Sequence, residues 1–254
     1  MLDRQNVISL QSTEVIISVY YKLTVLNKQH IKDMIKDEKI DKELQGKGVK
    51  FLPFVGDQYW YGISFNDNGE LVLGTKENPG KKVLVLGESH YCDEDLSDEE
   101  LSSFTRDVLD SYLNSEECCS WKRTFLKFER ALSNADTNID SKSIWNHLMF
   151  YNYLQCPLRG LRMAGEKYYE EAKEPFFAIL EKYKPDYIIV WGRRLFVNLP
   201  SENVLEGEYM PSIEINIWSY QIDGHTIMVL PVVHPSGGFL WGYWHEVIVE
   251  YLKN

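Results

Sequence analysis

Four short segments hold most of the residues able to do chemistry. The run Gly87-Glu88-Ser89-His90-Tyr91 sets a carboxylate, a hydroxyl, an imidazole and a phenol directly after the apolar stretch Val83-Leu84-Val85-Leu86. The segment His234-Pro235-Ser236 follows a second apolar stretch, Thr226 to Leu230. Between them, Asn152 stands inside Phe150-Tyr151-Asn152-Tyr153-Leu154, and Gly192-Arg193-Arg194 follows Tyr187-Ile188-Ile189-Val190-Trp191. A carboxylate and two imidazoles can exchange protons or stabilise developing charge. A primary amide offers one acceptor and two donors to a ligand edge.

These residues become a site only if the apolar stretches are neighbouring strands. From Lys82 onward, short apolar runs alternate with helical patterns, which is the signature of a mostly parallel sheet covered on both faces. Strands are expected at 83–86, 149–154, 187–191 and 226–230. Ser97 with Glu100 three residues on reads as a capping box that opens a helix to about Asn114. Trp121, Phe125, Phe128 and Leu132 mark the apolar stripe of the next helix. Further helices are expected at 166–183, after which Lys184-Pro185-Asp186 turns the chain, and at 242–252. The expected class is α/β: a three-layer α/β/α arrangement around a central, mostly parallel four-stranded sheet. In such sheets ligands bind beyond the carboxyl ends of the strands, where the four runs would deliver an acid, two histidines, an amide and several guanidiniums to one edge.

The first 46 residues differ from the rest. A β-branched segment (Val15, Ile16, Ile17, Val19) precedes a charged stretch with Ile31, Met34 and Ile35 at helical spacing, so residues 1–46 are expected to be an N-terminal appendage to a domain at 47–254. Gly46 and Gly48 bracket that boundary. Tyr59 to Val72, with Asp67-Asn68-Gly69 at its middle, reads as a hairpin.

Whole-chain properties narrow the function classes. The 254 residues include 16 Tyr, 11 Phe and 7 Trp and carry a formal charge of −11, which describes a globular chain and opposes a non-specific coat on nucleic acid. A pocket enzyme touching a short stretch of nucleic acid survives that objection, because a local group of Arg and Lys can oppose the global field. Cys92, Cys118, Cys119 and Cys156 make no C-x-x-C spacing, which fits a reducing cytosol and suggests no metal or redox centre. The apolar stretch near Glu14 to Tyr21 is too short to span a bilayer. A monomeric, cytoplasmic protein with no membrane partner is expected.

In order and spacing, residues 82–252 resemble the uracil-DNA glycosylase superfamily. Val83 to Glu88 is similar to its first motif, an apolar strand ending in Gly and then an acidic or polar residue. Phe150 to Pro157 is similar to the strand that bears a base-reading Asn and, in the iron-sulfur branch, a Cys, here Cys156. Pro185 to Arg193 resembles its third strand, and Leu230 to Ser236 its His-Pro-Ser motif. The resemblance implies an enzyme that cleaves the N-glycosidic bond of uracil or another damaged base, with single- or double-stranded DNA, or a nucleotide, as partner. By the same resemblance, His234 would donate a hydrogen bond to the departing base, Asn152 would read its edge, and Glu88 would orient water or stabilise the sugar cation. The extracted base would rest on Tyr91 or Phe104. His90 joins the candidate catalytic groups by its place in the strand-end loop, and Gly87, Ser89, Ser236 and Arg193 are candidate substrate-binding residues. The family's best-known branch has Asp-Pro-Tyr where this chain has Ser89-His90-Tyr91. The further cysteines of the iron-sulfur branch are missing, so no cofactor is expected.

Two other readings stand beside this one. The scaffold would serve as a nucleotide- or nucleic-acid-binding module if catalysis were lost. Alternatively, Gly87-Glu88-Ser89 would be the nucleophile loop of a Gly-Asp-Ser-type serine esterase with His234 as base. That chemistry needs an Asp three residues before the His to orient it, and Pro231 occupies the position.

Overall fold

The computed structural model describes residues 38–159 and 164–253. Its centre is a seven-stranded sheet in the order β1-β5-β4-β6-β9-β8-β7. The four expected strands are its core: β4 (Val83–Gly87), β5 (Leu148–Asn152), β6 (Tyr187–Trp191) and β9 (His225–Val232) run parallel to one another. Every residue of β4, β5 and β6 is buried, the reason these runs are continuously apolar rather than alternating.

The expected count of four strands is corrected to seven. The two-residue strand β1 (Phe54–Val55) adds antiparallel to β5, and the hairpin β7 (Val204–Met210) and β8 (Ile215–Ile222) adds antiparallel to β9. A separate two-stranded ribbon, β2 (Ile63–Phe65) with β3 (Leu71–Leu73), forms the hairpin read from Asp67-Asn68-Gly69. The Asn66 Oδ1 closes that turn by accepting from the backbone N–H groups of Asn68 and Glu70.

The two faces of the sheet pack against different helices. Leu84, Leu86, Met149, Tyr151, Ile188 and Val190 share one cluster with Phe176, Ile179 and Leu180 of α6 (Lys173–Tyr183). The next residues along each strand point to the other face. There Phe150 and Trp191 meet Phe125 and Phe128 of α3 (Lys122–Ser133), and Tyr187 meets Tyr251 of α8 (Trp241–Lys253). The expected long helix at 166–183 is two helices, α5 (Glu166–Glu171) and α6, divided at Ala172. Helix α2 (Asp98–Asn114) opens on the capping box Ser97/Glu100, while α4 (Ser141–Asn146) and α7 (Arg193–Val197) are short.

Contacts group residues 36–254 into one unit. Helix α1 (Glu38–Gly46) is part of this body: Leu44 is in the core, and Asp41 receives both Arg106 Nη atoms at 2.7 Å. The apolar segment at Val15–Val19 and the helical spacing at Ile31–Ile35 lie outside the described residues. Among the described residues no helix is long and apolar enough to cross a membrane.

Candidate functional site

Parallel register brings the expected residues to one edge. Gly87 ends β4 opposite Asn152, which ends β5. The backbone carbonyls of Gly87 and Glu88 accept from Tyr153 N and Leu154 N, both at 2.9 Å, and extend this pairing past the strands. Gly87 leaves room for the Asn152 side-chain oxygen, which a Cβ at 87 would have to displace. Gly192, between β6 and α7, has φ +105°, a conformation costly for any residue with a Cβ. Its bare α-carbon faces the His234 ring, since a Cβ would lie 3.7 Å from the His234 Cβ.

Two polar groups form on opposite faces of the sheet. Asn152 follows Tyr151 and so points away from the α6 face. Its Nδ2 donates to His90 Nε2 at 3.1 Å, and the Thr105 hydroxyl lies 2.8 Å from the same nitrogen. His90 is buried between Phe51 and Phe104, with ring centroids at 4.9 and 4.5 Å. Burial pushes its pKa down to about 3, so the ring is neutral at physiological pH. Phe104 thus closes over His90, while Tyr91 is 45% exposed at the rim.

Glu88 emerges on the α6 side, almost fully buried. Arg194 Nε donates to both of its oxygens, at 2.8 and 3.1 Å, and Arg194 Nη2 donates to Oε2 as well. The Tyr169 hydroxyl of α5 donates to Oε1. This partner holds the Arg194 guanidinium above its ordinary pKa. Burial, reinforced by the hydrogen bond to Glu88, raises the Tyr169 phenol. Sequence reading selected Arg193 from the Arg193-Arg194 pair and missed Tyr169 and Thr105. Both arginines are exposed by residue, and which of them turns to Glu88 is decided by how α7 packs.

His234 follows the end of β9, 6.0 Å from the Trp191 ring. Burial lowers its pKa; the Glu88 charge acts upward on it and the Arg194 charge downward. The backbone N–H of Ser236 donates to His234 Nδ1 at 3.2 Å, and the Ser236 hydroxyl lies 2.7 Å from the same atom. A backbone N–H can only donate, so Nδ1 carries the lone pair. The neutral ring therefore bears its proton on Nε2.

The Ser89 hydroxyl is directed at backbone carbonyls, those of His90 at 2.8 Å and Cys156 at 3.0 Å. In that position it has no imidazole to activate it, as a serine nucleophile requires. Leu240, six residues beyond His234, is 72% exposed and was not singled out from sequence. No protein-family model matches the chain, and no curated protein matches it.

Proposed function

We propose that this chain is a uracil-DNA glycosylase-like hydrolase, a three-layer α/β/α domain that cleaves the N-glycosidic bond of uracil or another damaged base in DNA. The supporting observation is the tautomer of His234. With Nδ1 occupied by Ser236 N–H, the imidazole offers a neutral Nε2–H donor at the carboxyl edge of the parallel strands, as a departing base anion requires at its carbonyl oxygen. Bond cleavage leaves the electron pair on the base, and water supplies oxygen to the sugar carbon. The water's proton passes to solvent or to the released base.

The division of labour differs from that expected of Glu88. Its carboxylate already accepts hydrogen bonds from Arg194 and Tyr169, so its oxygens are engaged before any water arrives and its field at the sugar is offset by the guanidinium. Stabilisation of the leaving base by His234 then carries more of the rate than activation of water does. Exposed Leu240 is suited to fill the gap that an extracted base leaves in the stack.

One observation favours the second reading, a binding module on the same scaffold: the Arg194 clamp on Glu88. The experiment that separates them incubates the protein with oligonucleotides bearing uracil, hypoxanthine or alkylated bases, then scores abasic sites. Base release supports the hydrolase. Tight binding of the same strands with every base intact supports the module instead.

A further inference from the structure

The acidity of the chain is not evenly spread. Helix α3 carries Lys122, Arg123, Lys127 and Arg130 against a single acid, Glu129, which is fully buried. Helix α7 carries Arg193 and Arg194 and no acid. These are the two described helices with a net positive charge of two or more, in a chain whose formal charge is −11.

Both flank the loop that bears His234. The Lys127 ammonium reaches the Gly237 carbonyl at 3.4 Å, and Gly237 N–H donates in turn to the His234 carbonyl at 2.8 Å. Arg123 lies one helical turn before Lys127 on the same face. On the other side, Arg193 directly follows Gly192, whose α-carbon faces the His234 ring. Two of the remaining cations are ion-paired, Arg194 with Glu88 and Arg130 with Asp136 at 3.1 Å, and Lys122 donates a short bond to the Ser115 carbonyl at 2.6 Å, whereas Arg123 reaches the Ser120 carbonyl only at 3.5 Å. Arg123, Lys127 and Arg193 make no ion pair among the described residues.

We propose that Arg123, Lys127 and Arg193 form a phosphate track that holds the backbone of a single nucleic-acid strand across the loop His234 to Gly238. A lone strand fits better than a duplex. It meets the collar without laying a second row of phosphates on an acidic surface, where repulsion would oppose it. The track rests on the reading that a base enters beside His234, but binding and base release are separate readouts, so each idea can fail alone.

The test is fluorescence anisotropy of a short single-stranded oligonucleotide over a range of salt concentrations. Three phosphate contacts predict a log-log slope of affinity against salt of about −2, and each of Arg123→Ala, Lys127→Ala and Arg193→Ala removes roughly 0.7 of that slope. Lys81→Ala makes the same charge change at an exposed position just before β4, on the opposite edge of the sheet, and leaves the slope unchanged. Thermal melts check that each variant folds. The track is refuted by absence of oligonucleotide binding, by an effect of Lys81→Ala equal to that of the collar variants, or by a nucleoside monophosphate competing as well as the strand. Oligonucleotide binding without base release supports the track while ending the hydrolase reading.

Discussion

Arg194 grips the Glu88 carboxylate through Nε and Nη2, joining the end of β4 to the start of α7 across the candidate site. Arg194→Met leaves a nearly buried carboxylate with only Tyr169 for company. The arginine side chain is 42% exposed, so solvent screening reduces the cost well below the ~3–5 kcal/mol of breaking a fully buried pair. A loss of about 1–2 kcal/mol is expected in chemical denaturation. The double variant Arg194→Met/Glu88→Gln recovers most of it, because the unpaired charge is gone. A double variant less stable than Arg194→Met would contradict this account of the pair.

His90 gives a pH signature with a definite sign. Its folded pKa, about 3, lies below the ordinary histidine value near 6.5. The unfolded chain therefore takes up a proton in that window and the folded chain does not. The stability associated with neutral His90 is complete above about pH 6.5 and is lost on acidification toward 3, with a limiting slope of about 1.4 kcal/mol per pH unit. His90→Gln keeps an acceptor for Asn152 and Thr105 and cannot titrate. Denaturation series for the two proteins should diverge by this slope between pH 6 and 4, roughly the span of the two values. Parallel curves would show that His90 is not buried neutral.

On the inner face of α3, Glu129 ties that helix to α4. It is fully buried and accepts from the Trp145 indole N–H and the Ser141 hydroxyl, each at 2.6 Å, and burial holds its pKa above the usual carboxylate range. Glu129→Ala strands a buried indole donor and leaves a cavity, at a cost of about 3 kcal/mol or more. A denaturation midpoint within experimental scatter of the parent would remove this network from the account of stability.

Ser89 tests the esterase alternative. With its hydroxyl turned to the carbonyls of His90 and Cys156, a fluorophosphonate probe should leave it unlabelled, and Ser89→Ala should retain base release. Stoichiometric labelling at Ser89 would revive nucleophilic serine chemistry.

How far the sequence reached depended on the range of the interaction. The parallel core was legible because strands buried on both faces must be continuously apolar, and the start of α2 was legible because a capping box is local chemistry. The β7–β8 hairpin was not read, since Val204 to Met210 mixes apolar residues with acids and Gly207. Its neighbour β8 does meet β9 through Asp223-Gly224, both at positive φ, the dipeptide signal of a tight hairpin turn. At the site, sequence order was enough to place Glu88, Asn152 and His234 at strand ends. That Asn152 turns to His90 while Glu88 turns to Arg194 and Tyr169 follows from strand alternation and from the seating of α5 and α7, tertiary facts with no sequence period.

The most direct measurement compares base release by the parent and by His234→Ala on a uracil-bearing single strand, scored as abasic sites under single-turnover conditions. Loss of one donor aimed at the departing base should slow release by about 10²–10³-fold, with strand affinity nearly unchanged. Equal rates for the two proteins, or intact uracil after prolonged incubation with the parent, would contradict the assignment of His234 as the group that stabilises the leaving base.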